Sequence, residues 1–159
     1  MEKGGITYQK ILEDFGTGIL EETGEINRGR LASVAFATEE ATLRLNACTH
    51  PYIKEAIAHE ICQVRSLDVH PLIVLEAAIL AQGGLTELCD MIWYVSVPWE
   101  VRRQRIMESR GYSAERAQDM MLRQPTDAEY LALADGVIYN DGSMEETARQ
   151  IAGLLAEVL

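Results

Sequence analysis

The 159-residue sequence has little positive charge and no long apolar run. Its 14 Lys and Arg residues stand against 25 Asp and Glu, which gives a net charge of −11. This balance argues against nucleic-acid binding, because phosphate backbones need a positive surface. The longest apolar stretch, residues 72–81, is interrupted by Glu76 and is too short to span a bilayer. Because the N-terminus also has no hydrophobic signal region, we expect a soluble, cytoplasmic protein that does not bind membranes.

The sequence also has few cysteines, and none of them form a recognisable pair. Cys48, Cys62 and Cys89 lie far apart and include no C-x-x-C motif, which is typical of reduced cytosolic thiols. The three histidines show no zinc-like spacing, so no residue is assigned to a metal.

What the sequence does contain is a series of short apolar runs separated by helical segments. Residues 72–75 (LIVL), 91–97 (MIWYVSV) and 136–139 (GVIY) are interpreted as three buried strands. Such strands, joined by helical connections, predict a parallel sheet covered on both faces and therefore an α/β protein. The length of the chain suits a single domain over residues 1–159.

The N-terminal half is predicted to be helical. Apolar spacing favours a helix from Ile6 to Phe15, and Asn27 and Thr38 are suited to cap the next two helices. The Thr49-His50-Pro51 segment is expected to interrupt the pattern, because a residue before proline disfavours the helical region. Pro51 would then open a further long helix.

Helix signals also separate the later strands. Pro98 is suited to the first turn of one helix, and Ser113 opens another that runs through Met121. After the third strand, Ser143 and Glu146 have the spacing of a capping box at the start of the last helix.

Ligands of parallel sheets bind beyond the carboxyl ends of the strands. In this chain those ends are residues 76–82, 97–99 and 140–142. Just beyond the second end, four arginines fall within nine residues: Arg102, Arg103, Arg105 and Arg110. This cluster is compatible with a pocket for a small phosphorylated ligand and equally with a solvated helix face.

Several short motifs occur in a characteristic order, each weak alone. They are Phe15-Gly16, Ile26-Asn27-Arg28, Leu45-Asn46, Thr49-His50-Pro51, Cys89-Asp90, Val97-Pro98, Ala134-Asp135 and Asn140-Asp141-Gly142-Ser143. In this order they resemble the dephospho-CoA kinase family, over nearly all of the chain from about Gly5 to Leu155. The resemblance implies a P-loop-kinase-like fold. It also implies transfer of the γ-phosphoryl group of ATP to the 3′-hydroxyl of dephospho-CoA, the last step of coenzyme A synthesis.

The resemblance implies roles for particular residues. A helical substrate-side subdomain would cover about residues 20–68, with Arg28 and His50 contacting dephospho-CoA or a CoA-like molecule, and Glu76 would supply an acid nearby. A lid over about residues 100–130 would bring Arg105 and Arg110 to the phosphates. Asn140 and Gly142 would lie beside the adenine of ATP.

Each of these roles has an ordinary structural alternative. Arg28 could be a surface arginine at a helix start, and His50 could cap the expected break before Pro51. The turn containing Asn140 and Gly142 could simply precede a capped helix.

The sequence departs from the family pattern in its lid and at the end of its first strand. Ser109 and Met120 stand where the family has arginines, with Arg110 displaced by one residue. Tyr130 replaces a lysine that usually follows the lid, and Gln82 replaces a carboxylate.

No Gly-rich loop ending in Gly-Lys-Ser/Thr occurs in the sequence. The family's opening strand, phosphate loop, helix and catalytic Asp are therefore missing, and whether Mg²⁺ binds is left open. Because that opening strand lies in mid-sheet, its neighbours would have unpaired edges, which self-association could complete.

Three hypotheses follow from this departure. The first is a dephospho-CoA kinase whose N-terminal unit is encoded upstream of the Met1 codon, with this chain inactive alone. The second is a non-catalytic relative that binds CoA-like molecules, adenine nucleotides or a partner protein. The third is a truncated product that does not fold alone.

Overall fold

A computed structural model of the chain describes residues 3–69, 72–78, 80–81 and 83–158. The chain forms two compact units, Met1–His70 with Ala81–Leu85 and Pro71–Leu80 with Thr86–Leu159. We call them the first and the second unit. The expectations for Gln82 concern a residue outside the described ones.

The first unit is helical, as the sequence predicts. It contains α1 (Ile6–Phe15), a short 3-10 helix (Thr17–Ile19), α2 (Arg28–Ala35) and α3 (Glu39–Ser66). The side chain of Asn27 accepts a hydrogen bond from the Arg30 N–H at the start of α2, and Thr38 caps α3 in the same way. Both predicted caps are therefore confirmed.

The core of the first unit is small and apolar. Residues from α1, the 3-10 helix, α2 and α3 meet there, since the apolar face of each helix recurs every three to four residues. The buried members are Ile11, Ile19, Leu31, Ala35 and Cys48.

The predicted interruption at Pro51 is wrong. Helix α3 runs without a break through Thr49, His50 and Pro51. Proline removes one intrahelical hydrogen bond and disfavours a helical residue before it. One turn earlier, however, Cys48 is buried in the core, so packing outweighs the local preference and the helix continues. The alternative role of His50 as a cap at a break is therefore excluded.

The second unit holds the sheet. Its elements are a 3-10 helix (Thr86–Leu88), β1 (Trp93–Ser96), α4 (Trp99–Arg110), α5 (Ala114–Leu122), α6 (Asp127–Leu131), β2 (Gly136–Tyr139) and α7 (Met144–Ala156). Strands β1 and β2 are parallel, in a register from Trp93 opposite Gly136 to Ser96 opposite Tyr139. The predicted α/β class with a parallel sheet is confirmed.

The first of the three predicted strands is not observed. Residues 72–75 have no regular secondary structure, and Leu72, Ile73 and Val74 are exposed. A strand exists only through hydrogen bonds to a neighbour, and among the described residues no strand pairs with this segment. The apolar run is present, but the described part of the chain offers it no strand to pair with.

Helix α7 closes the outer edge of β2. The predicted capping box is confirmed, because Ser143 and Glu146 exchange both capping hydrogen bonds. One helical turn further on, the Gln150 amide donates to the Tyr139 carbonyl at 2.9 Å and accepts from the Tyr139 N–H at 2.8 Å. The Gln150 side chain thus satisfies the N–H and carbonyl groups of Tyr139, which would otherwise be unpaired at the edge of the sheet. In the described part of the chain, no helix has both the length and the apolar composition needed to cross a membrane.

Candidate functional site

Helix α4 presents three arginines to one cleft of about 320 Å³. The α4 residues of this lining recur every three to four positions, which places them on one face of the helix. The lining consists of Val97, Arg102, Arg105, Ile106, Ser109, Arg110, Met120 and Gln124. We call this the arginine cleft.

The turn between α4 and α5 shapes the arginine cleft. Gly111 ends α4 in the left-handed conformation, with φ 63° and ψ 28°, and its N–H donates to the Met107 carbonyl. Glycine adopts this conformation without the steric cost that a Cβ would bring. Ser113 then caps α5, which packs through the buried side chains of Ala117 and Met121. The two helices are therefore joined by a tight, defined turn.

The arginine cleft is a local concentration of positive charge. Among the described residues that line it there is no carboxylate. The neighbouring Arg103 is paired with Glu100 at 2.7 Å and does not line the cleft, whereas Arg110 makes no ion pair with any described residue. On a chain of net charge −11, such a lining is suited to bind a phosphate through charge-assisted hydrogen bonds.

Arg105 connects the arginine cleft to the end of the sheet. One of its guanidinium nitrogens (Nη1) donates to the Asn140 carbonyl oxygen at 2.8 Å, and the Asn140 N–H donates to the Ser96 carbonyl at 2.9 Å. The Asn140 side-chain amide has no hydrogen-bond partner among the described residues. Its donor and acceptor are therefore available to the edge of a purine base.

The displaced arginine still reaches the cleft. A shift of one residue along a helix rotates the side chain by about 100°. In the structure both Ser109 and Arg110 line the cleft, and the Ser109 hydroxyl donates to the Arg105 carbonyl at 2.6 Å. Met120 also lines the cleft, so part of its wall is apolar where the family pattern has an arginine.

Gly142 lies beside a second cavity of about 390 Å³, which is less suited to phosphate. Two carboxylates, Asp141 and Glu146, line that cavity together with Arg149. A Cβ on Gly142 would collide with the Glu146 carboxylate, which accepts a hydrogen bond from the Ser143 N–H. The capping box therefore explains the glycine at position 142 without any contact to a base.

Two tyrosines near the arginine cleft were missed as site residues. Tyr94 and Tyr130 stack with ring centroids 5.0 Å apart, and Arg102 is close enough to both to act on their pKa values. Burial, and then the hydrogen bond to Asp127, raises the pKa of Tyr94 to about 12. Burial also raises the pKa of Tyr130, while Arg102 opposes both increases. No sequence signal predicts this pairing, since the two tyrosines lie on separate elements.

The structure places each remaining candidate within its own unit. In the first unit, Arg28 is the exposed first residue of α2 and has no ion-pair partner among the described residues. His50 is half-buried within α3. In the second unit, Glu76 is exposed in the segment without regular structure. Their roles as substrate contacts stay predictions.

A parallel sheet with helical connections, and an arginine cleft beyond its strand ends, define an α/β protein with a candidate phosphate site. Its likeness to the solved structures given below is consistent with a P-loop-kinase-like fold. The family model of dephospho-CoA kinase matches residues 1–146. The chain belongs to the dephospho-CoA kinase family.

Individual relatives agree with this assignment. A dephospho-CoA kinase from Carboxydothermus hydrogenoformans is 38% identical over 96% of this chain and 73% of its own length. One from Geobacillus kaustophilus is 36% identical over 97% of this chain and 76% of its own length. Among solved structures, TT1252 from Thermus thermophilus matches with a TM-score of 0.78 and 26% identity, covering 95% of this chain and 76% of that one. Dephospho-CoA kinase from Campylobacter jejuni matches with a TM-score of 0.61 and 25% identity, covering 94% and 74%.

Proposed function

We propose that this protein serves the reaction of its relatives, the ATP-dependent phosphorylation of the 3′-hydroxyl of dephospho-CoA. The arginine cleft carries the proposal, because it gathers three cations and no carboxylate on a strongly acidic chain. Phosphoryl transfer depends mainly on positioning and on stabilisation of the charge that spreads over the phosphoryl oxygens. Arg105 and Arg110 would supply that stabilisation.

The remaining candidates divide between the two substrates. On the nucleotide side, the Asn140 amide would bind the adenine edge, with Gly142 in the same turn. On the acceptor side, Arg28, His50 and Glu76 would contact dephospho-CoA. Arg28 suits a phosphate of that molecule, because its guanidinium can form two parallel hydrogen bonds and has no ion-pair partner among the described residues.

ATP fits the residues present through its phosphates and base. Mg²⁺ normally accompanies ATP phosphates, held by one or two carboxylates. Within the described residues no group of three or more His, Cys, Asp or Glu could hold a metal ion, so we assign no residue to Mg²⁺ and no step to it.

The 159-residue chain alone is proposed to bind ligands without turning them over. Its sequence contains no Gly-Lys-Ser/Thr phosphate loop, so it lacks the backbone N–H groups and the lysine that hold the β and γ phosphates. A second candidate function is a non-catalytic nucleotide- or CoA-binding protein. The observation that favours it is that Ser109 and Met120, the two positions that depart from the arginine pattern, both line the cleft.

Calorimetric titrations with ATP and with dephospho-CoA, combined with mass-spectrometric detection of CoA, test the proposal. The expected result is saturable binding of both ligands and no CoA from the 159-residue chain. Absence of binding for ATP, or for dephospho-CoA, would overturn the proposal. CoA formation would contradict the inactivity of the chain and eliminate the non-catalytic candidate. An in-frame Gly-Lys-Ser/Thr loop upstream of the Met1 codon would favour the kinase, and a stop codon with no such loop would favour the binding protein.

Two further properties belong to the same proposal. A cytoplasmic location is supported by the three free cysteines, which suit a reducing compartment. Self-association is supported by residues 72–75, which pair with no described strand, and by the half-exposed Val95 on β1. Sedimentation velocity over a range of protein concentrations would detect it, and a concentration-independent monomer would exclude it.

A further inference from the structure

Two stacked tyrosines connect three separate elements of the second unit. Tyr94 of β1 and Tyr130 of α6 have ring centroids 5.0 Å apart and an interplanar angle of 10°. The Tyr94 hydroxyl donates to Asp127 Oδ1 at 2.6 Å, and the Tyr130 hydroxyl donates to the Ala78 carbonyl at 2.6 Å. The first bond joins α6 to the sheet, and the second joins α6 to the segment that carries Glu76.

Both tyrosines are held by elements with independent support. Strand β1 is paired along its length with β2, which fixes Tyr94. Helix α6 has five residues, and it begins with a capping box in which Thr126 and Glu129 exchange hydrogen bonds. A box of this kind satisfies two N–H groups and fixes the start of the helix. Tyr130 therefore presents its hydroxyl from a defined position.

The segment that receives this hydroxyl has little other support. Residues 72–78 form no helix or strand, and Val74 is 79% exposed. Between described residues, the bond from Tyr130 to Ala78 is the one hydrogen bond of this segment. A segment with so few hydrogen bonds opens easily, so this single bond contributes much of what keeps the segment ordered.

We propose that Tyr130 is a positioning residue, whose hydroxyl holds residues 72–78 and thereby fixes Glu76 for its contact with dephospho-CoA. This assignment rests on the proposed function, in which Glu76 binds the acceptor substrate. In this role Tyr130 acts through Glu76 and needs no contact of its own with the substrate. Tyr130 also stacks on Tyr94, close to Arg102 of the arginine cleft. This stacking connects residues 72–78 to β1, the strand that precedes the cleft.

Limited proteolysis of the ligand-free chain, with a protease that cleaves after glutamate, tests the positioning directly, because cleavage at Glu76 follows the fraction of chains in which the segment is open. Tyr130→Phe keeps the stacked ring and removes the donor to Ala78, whereas the matched variant Tyr94→Phe removes only the bond to Asp127. Loss of one hydrogen bond of typical net strength should speed cleavage after Glu76 about threefold to tenfold in Tyr130→Phe. Tyr94→Phe should leave that cleavage rate unchanged. Equal cleavage rates in wild type and Tyr130→Phe, or equal acceleration in both variants, would overturn the proposal.

A double-mutant cycle in dephospho-CoA affinity separates positioning from general stabilisation. Tyr130→Phe and Glu76→Gln should each raise the Kd for dephospho-CoA, and the double variant should bind no more weakly than Glu76→Gln alone. Additive increases would show that Tyr130 does not act through Glu76. If wild type does not bind dephospho-CoA, the proposed function fails, and the comparison of cleavage rates alone decides whether Tyr130 orders the segment.

Discussion

Removing one cation from the arginine cleft should weaken nucleotide binding without unfolding the protein. We consider Arg110→Gln, because Arg110 lines the cleft and makes no ion pair with any described residue. The variant removes a charge but breaks no bond that holds the fold. Its thermal transition should therefore match that of wild type.

The expected magnitude follows from the exposure of Arg110. A hydrogen bond to a charged group contributes about 1.5–3 kcal/mol, and exposed ion pairs contribute about 1 kcal/mol or less. Arg110 is exposed in an open cleft, so a loss of about 1 kcal/mol is expected. That loss corresponds to a roughly fivefold increase in the Kd for ATP.

A second cleft variant, Arg105→Gln, should behave differently. Arg105 also donates to the Asn140 carbonyl, which joins α4 to the end of the sheet. The variant should weaken ATP binding at least as much as Arg110→Gln and should also lower the melting temperature, because one tertiary hydrogen bond is lost.

Arg103→Gln provides the matched control. It removes the same charge from the same helix, but Arg103 lies outside the cleft and is paired with Glu100. Calorimetric titration of the three variants with ATP should give a Kd close to wild type for Arg103→Gln alone. Equal weakening by Arg103→Gln and Arg110→Gln would contradict a role for the cleft, because net charge would then govern affinity.

Three further predictions concern stability. The raised pKa of Tyr94 means that folding favours its protonated form. The contribution of this tyrosine to stability is therefore complete below pH 10 and is lost as the pH rises towards about 12. Melting temperatures should fall less steeply over this range in Tyr94→Phe than in wild type, and identical slopes would contradict the raised pKa. Gly142→Ala should displace Glu146 from the capping box and cost about 1 kcal/mol in urea unfolding, with no loss if the carboxylate can move freely aside. Asn27→Ala should cost a similar amount, about 1 kcal/mol, and Asn27→Ser should restore most of it, since serine also caps helices.

The elements that the sequence predicted well are those with local causes. The caps at Asn27, Thr38 and Ser143 depend on a side chain and an N–H group three residues later, so sequence spacing is sufficient. The same holds for β2, whose four residues match the apolar run.

The two wrong predictions depend on distant parts of the chain. The break at Pro51 follows a local preference, which the packing of Cys48 in the core overrides. The strand at residues 72–75 needs a partner for its hydrogen bonds, and an apolar run does not reveal whether that partner exists.

The candidate site also has a part that local sequence predicts and a part that depends on contacts between distant residues. All three cleft arginines belong to the cluster of four that the sequence shows, and helical spacing could have assigned Arg102, three residues before Arg105, to the site with Arg105 and Arg110. The link from Arg105 to Asn140 spans 35 residues, and the link from Tyr130 to Ala78 spans 52. Such links arise from the fold, and no local pattern predicts them.

A crystal structure of the chain in complex with ATP would show directly whether the arginine cleft binds the phosphates. We expect phosphate oxygens at about 2.7–2.9 Å from guanidinium nitrogens of Arg105 or Arg110, with the adenine edge at the Asn140 amide. ATP bound elsewhere on the chain, with the arginine cleft empty, would contradict the proposed role of the cleft.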